Sequence, residues 1–183
     1  MDAEDVVLGI VAAAGGTVEG RTYLQKVAYF AGKRIGLELG FRPHYYGPYS
    51  RLISAETDRQ VTLQFLSEDR RELVRAGETG LPFDPVLYVY SLREEGRRYC
   101  EILEESDRES FGSLRDVVDK IKESGADYRQ LSCAAKLDYL LTAAGGSIAR
   151  ETAKREARQL GWQLEDPDID AAVDALQRMG LVR

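Results

Sequence analysis

Apolar side chains return every three or four residues along most of this chain, and the breaks in that rhythm are marked by glycine, proline or clustered charge. Val6, Val7, Ile10, Val11 and Ala14 share one face of a predicted helix over Asp2–Ala14, with acids in its first turn and Gly15-Gly16 as its stop. After a short connection, Thr17 to Gly20, a second helix gathers Leu24, Val27, Ala28, Ala31 and Ile35 and leaves Arg21, Gln25, Lys33 and Arg34 mostly outward. Gly36 and Gly40 bracket the next break, which opens into RPHYYGPYS, Arg42 to Ser50. There Gly47 tolerates backbone angles that a Cβ forbids, Pro48 fixes φ for a turn or a first helical residue, and Ser50 can accept from the free amides of a following helix. A third helix is expected from Arg51 to Leu66, although Val61–Phe65 alternates in a way that also suits a short strand.

Ser67–Arg71 reads as a charged turn, Leu73-Val74-Arg75 as a short strand and Gly77–Pro85 as a loop. Val86–Tyr90 is β-branched and aromatic and is the strongest strand signal in the chain. Two strands joined by that loop would form a β-hairpin wing. Ser91 and Glu94 have capping-box spacing, so a helix is expected to follow directly and run to about Glu105. Another is expected from about Ser110 to Gly125, and the charge of Arg93–Glu123 suits exposed or partner-facing helices. The last third echoes the first. Ala143-Ala144-Gly145-Gly146 parallels Ala13-Ala14-Gly15-Gly16, Gly161-Trp162-Gln163-Leu164 parallels Gly36-Leu37-Glu38-Leu39, and Asp166-Pro167 offers an N-cap with proline behind it. The pattern divides the chain into a first unit over 1–91, connecting helices over 92–125 and a C-terminal three-helix unit over 126–183.

Composition narrows the class. The chain is 183 residues long and 44% hydrophobic, enough for a buried core, and it has no apolar run near the roughly 20 residues of a membrane span. The acidic start, MDAEDVVLGIV, is unlike a secretory signal, and Cys100 and Cys133 have no CxxC spacing. A cytoplasmic protein with buried free thiols is therefore expected. The net charge of −6 argues against a general nucleic-acid coat, but Gly20–Arg75 holds ten Lys/Arg against six acids. One basic segment in an acidic chain can bind DNA or can be a solvated face.

Three helices followed by a hairpin is the winged helix-turn-helix plan, in which the third helix enters the major groove and the wing touches the backbone. The expected fold class is accordingly mainly α (α+β), a winged helix with a small wing plus a C-terminal helical unit. The outward candidates on the third helix are Arg51, Ser54, Asp58 and Arg59, a set that includes an acid. GRTYLQKVAYF (Gly20 to Phe30) and HYYGPYS (His44 to Ser50), followed by a wing, together resemble the signature of the uncharacterised YwgA-like winged-helix proteins. They are similar more distantly to the Panacea domain of SocA-type antitoxins. The resemblance covers Gly20–Ser50 most strongly and continues more weakly to about Glu105. The first family implies a transcriptional regulator, the second an antitoxin or adaptor that binds a protein.

The positions that carry the resemblance are Gly20, Leu24, Gln25, Lys26, Tyr46, Gly47, Pro48, Tyr49 and Ser50. Gln25 and Lys26 either hydrogen-bond the tyrosine corner, whose sharp turn leaves carbonyls needing donors, or face a phosphate; the first reading is favoured. Tyr45, Tyr46 and Tyr49 read as packing residues with polar tips ahead of base-stacking platforms. The expected function is a DNA-binding transcriptional regulator of winged-helix type, with a protein-interaction adaptor or antitoxin-like module as the alternative; for double-stranded DNA the candidate contacts are Arg21, Lys26, Arg42, Arg51, Arg59 and, on the wing, Arg75. The C-terminal helices would dimerise or meet a protein partner. His44, the single histidine, has no Cys or His neighbour for a metal and no triad spacing, and neither a GxGxxG nor a GxxxxGK[ST] loop is present. A non-enzymatic protein without cofactor or metal is expected.

Overall fold

The computed structural model describes residues 1–72 and 86–181. Among them are eight helices and five strands, so the protein is mainly helical α+β with small antiparallel sheets. Helix α1 (Ala3–Ala13) is closed at its start by a reciprocal box between Asp2 and Asp5. It buries every residue from Val6 to Val11, so it runs through the middle of the molecule and is not one-sided as its spacing suggests. Strand β1 (Thr17–Glu19) leads to α2 (Arg21–Ile35), strands β2 (Arg42–His44) and β3 (Gly47–Tyr49), and α3 (Arg51–Thr62). Strands β4 (Leu66–Glu72) and β5 (Val86–Leu92) follow, then α4 (Glu94–Ser106), α5 (Arg108–Ser124), α6 (Tyr128–Ala143), α7 (Arg150–Gln159) and α8 (Asp166–Arg178).

Several local expectations are corrected. Thr17–Glu19 is a strand, not a bare connection, because its backbone pairs with Val89–Ser91 across the molecule. The third helix stops at Thr62, short of Leu66, and the chain turns through Gln64 at φ +63°. Ser67–Arg71 is strand, not turn: β4 lies at the edge of a sheet ordered β1-β5-β4, where charges discourage pairing with another chain. Ser91 belongs to β5, and α4 begins after Arg93 with no side-chain cap. At α8 the cap is Glu165, boxed with Asp168, and Asp166-Pro167 form the first turn. The expected strand at Leu73–Arg75 and loop at Gly77–Pro85 lie outside the described residues.

Helix α5 is no exposed connector: Phe111, Leu114, Val117, Val118 and Ile121 are buried where it packs on α1 and α2. The Cδ1 of Leu114 reaches within 3.2 Å of where a Cβ would sit on Gly9, a close helix approach that glycine permits. Helix α6 packs on α2 and α8, and a polar link crosses the α2–α6 seam: Asp138 accepts from the buried Tyr29 hydroxyl at 2.7 Å and from the more exposed Lys33 Nζ at 2.5 Å. The hydrophobic core is one continuous cluster from Val6 to Met179. No helix among the described residues is long and apolar enough to cross a membrane.

Candidate functional site

The tyrosine corner is a miniature hairpin. Strands β2 and β3 pair antiparallel around a two-residue turn, Tyr45-Tyr46, with Pro43 opposite Pro48. Gly47 has φ +102°, and a Cβ there would lie 3.1 Å from Lys136 Cγ and 3.4 Å from Lys26 Cε, so both the angle and the space require glycine. Behind the hairpin, α2 supplies a clamp. Gln25 Nε2 donates to Ser50 O at 3.0 Å while Gln25 Oε1 accepts from Ser50 N at 2.9 Å. Lys26 Nζ donates to Pro48 O at 2.8 Å. Ser50 Oγ donates to Leu39 O at 2.5 Å and accepts from Ile53 N at 3.1 Å, which starts α3. Gln25, Lys26 and Ser50 are all buried, so the outward placement expected for Gln25 is corrected: short strands cannot satisfy their own backbone, and these side chains do it for them.

Lys26 is only 2% exposed, which takes it out of reach of a phosphate on the surface. Burial, joined by the like charge of Lys136, pushes its pKa down to about 7. The other sequence-selected cations divide. Arg21 donates to Tyr90 Oη at 2.7 Å and Glu68 Oε2 at 2.9 Å, lies 3.6 Å from Asp58, and stacks 3.9 Å from the Tyr88 ring centre. Burial opposes its charge, but its bonds to Glu68 and Tyr90 outweigh that and hold it above the ordinary arginine value. Arg59 bridges Glu4 at 3.3 Å and Glu56 at 3.2 Å. Arg42 and Arg51 are exposed and make no ion pair among the described residues. Arg75 lies outside the described residues. Among the described residues the candidate cations thus do not come together as one unpaired stripe.

What the fold does bring together is aromatic. Tyr45 is 72% exposed, Tyr46 50% and Tyr128 67%. They line a groove of about 570 Å³ with Arg129, Ser132 and Lys136 of α6 and the segment from Gly161 to Asp168. Tyr45 and Tyr46 meet edge to face at 4.8 Å, and the Tyr49 ring lies 4.9 Å from His44. Trp162, buried, donates its indole N–H to His44 O at 2.6 Å and so ties the C-terminal helices to the hairpin. Sequence reasoning missed Trp162 and the α6 residues. The only available signal was Arg129, Ser132, Cys133 and Lys136 falling at helical spacing on one face.

Among the described residues no group of three or more His, Cys, Asp or Glu is placed to hold a metal ion. Cys100 and Cys133 are free and buried, and burial pushes the Cys100 thiol up to about 12, far from a reactive thiolate. Fold and site define a mainly helical α+β protein built around one clamped aromatic hairpin. No family model matches the chain, and no curated protein matches it.

Proposed function

We propose that residues 1–91 form a winged helix whose tyrosine corner faces another protein, in the manner of an adaptor or antitoxin-like module. The order α1-β1-α2-β2-β3-α3-β4-β5, with β5 between β1 and β4 and the short β2–β3 hairpin inserted before α3, supports the winged-helix reading, as does the resemblance of Gly20–Ser50 to YwgA-like proteins. One observation carries the choice of partner: selected arginines are tied to carboxylates while tyrosines stand free. DNA binding draws its affinity from cations available to replace counterions, and Arg21 and Arg59 already face Glu68, Asp58, Glu4 and Glu56. Exposed Tyr45 and Tyr46, with Leu52 in α3 and Leu63 just past its end, both exposed, are of the kind that protein interfaces bury. The reading needs no catalytic group, and two buried free thiols suit a reducing cytoplasm. In a pull-down from native cells, the tagged chain should recover one stoichiometric protein, lost with Tyr46→Ala at an unchanged melting temperature. Recovery of chaperones alone would sink this reading.

A second reading, a DNA-binding regulator, is favoured by one observation: Arg42 and Arg51 are exposed without ion pairs among the described residues and flank the hairpin that leads into α3. It predicts that DNA from the chain's own upstream region is retarded in a gel at low salt. Retardation should be lost at higher salt and weakened by Arg42→Ala with Arg51→Ala. No retardation at low salt removes it.

A further inference from the structure

We propose that the groove between the tyrosine corner and α6 binds a small molecule that joins a planar ring to an anionic head group, a phosphate or a carboxylate. The head-group end is written on α6. Arg129, Ser132 and Lys136 line one face of that helix along the groove, and among the described residues neither cation makes an ion pair. The groove's two acids, Glu165 and Asp168, are engaged elsewhere: each accepts from the other's backbone N–H in the box that starts α8. The α6 wall thus carries two cations without direct ion pairs, facing carboxylates whose oxygens are turned to the α8 backbone.

Two further observations mark the same place as incomplete. The stems of Lys136 and Lys26 converge on Gly47, Lys136 Cγ and Lys26 Cε lying 3.1 and 3.4 Å from the point a Cβ on that glycine would occupy, and neither lysine makes an ion pair among the described residues. The like charge of Lys136 is one of the two causes that depress Lys26. An anion beside Lys136 would relieve that repulsion. In addition, the Ser132 hydroxyl is buried without any hydrogen-bond partner among the described residues, an arrangement that costs free energy and that a turn of this side chain toward a ligand oxygen would correct.

The ring end is set by the tyrosines. Tyr45 and Tyr46 are locked edge to face, and Tyr128, at the start of α6, is 67% exposed on the same groove. Exposed rings around a cavity of about 570 Å³ offer flat apolar faces at the size of a small-molecule site. The site shares Tyr45 and Tyr46 with the surface proposed for a protein partner but does not rest on that reading, since it needs no second macromolecule.

Calorimetric titration of the full chain with phenyl phosphate, phenylacetate, benzyl alcohol and inorganic phosphate tests the proposal. One or both ring-bearing anions should bind with a Kd of about 1 mM or tighter, with benzyl alcohol and inorganic phosphate at least about tenfold weaker. The preferred anion identifies the head group. Arg129→Gln and Lys136→Gln should each weaken that binding about tenfold, whereas Arg155→Gln on α7 should leave it unchanged. Each variant is melted first; because Lys136 packs on Gly47, the exposed Arg129 carries the test if Lys136→Gln fails to fold. Three results would overturn the proposal: no saturable binding of either anion at about 10 mM, equal binding of benzyl alcohol, or binding indifferent to Arg129→Gln.

Discussion

Gln25 gives and receives a hydrogen bond at the same backbone residue, Ser50, so one amide side chain does the work of a neighbouring strand. Removing it leaves the buried Ser50 N–H unpaired and its C=O with Ser54 N as the one remaining donor. Gln25→Ala should therefore cost about 1–3 kcal/mol in urea unfolding, well above a typical surface substitution. Lys26 offers a pH test. Its folded pKa is pushed down to about 7 from an ordinary 10.5, so from pH 7 upward the unfolded chain binds more protons. Stability should then rise by about 2 kcal/mol between pH 7 and 9, and that gain should vanish as pH falls back to 7. Cys100, pushed up to about 12, opposes this only above its ordinary value near 9, so that window belongs to the lysine. Lys26→Met should flatten the slope; equal slopes in both proteins would show that the buried charge is not its source. Both residues were legible as polar members of a motif, and their hydrogen-bonding role followed from the turn beside them. Their burial was not, because the α2 face that carries them is covered by a hairpin and by a helix more than a hundred residues away.

At the scale of elements, a hairpin as short as β2–β3 is not stable alone. It persists because α2 clamps its back, α6 packs against β3 and Trp162 donates to the last residue of β2. Trp162→Phe keeps most of the ring volume and removes that donor, and should cost about 1–2 kcal/mol. Gly47→Ala should cost about 1–3 kcal/mol or more, since it adds strain at φ +102° to a contact of 3.1 Å; a thermal melt of both variants checks the order. Most helices were readable from spacing alone. The same Gly-Gly stop occurs twice: Gly16 N donates to Val11 O and Gly146 N to Leu141 O, each at 2.8 Å. Three of the misreadings share one cause. β1, β4 and the true start of α4 are defined by pairing with β5, and no local pattern reports a partner that far along the chain.

At the scale of the whole molecule, a core continuous from Val6 to Met179 predicts one cooperative unfolding transition. The chain offers a direct check, because its single tryptophan lies in the C-terminal third while circular dichroism reports all the helices. The two transitions should coincide; a fluorescence change that precedes the loss of helicity would show that the C-terminal helices melt independently. By itself the sequence determined the mainly helical class, the helix stops, the short β content and the singular character of Tyr46–Ser50, since periodicity and the backbone limits of glycine and proline act locally. The tertiary structure decided which charges remain available and which are used up. Arg21 and Arg59 meet acids distant in sequence, Lys26 disappears under Gly47, and Arg129 and Lys136 are left facing the tyrosines. Charge along a sequence is a sum, whereas charge offered to a ligand depends on pairing and burial, and those exist only once the chain has folded.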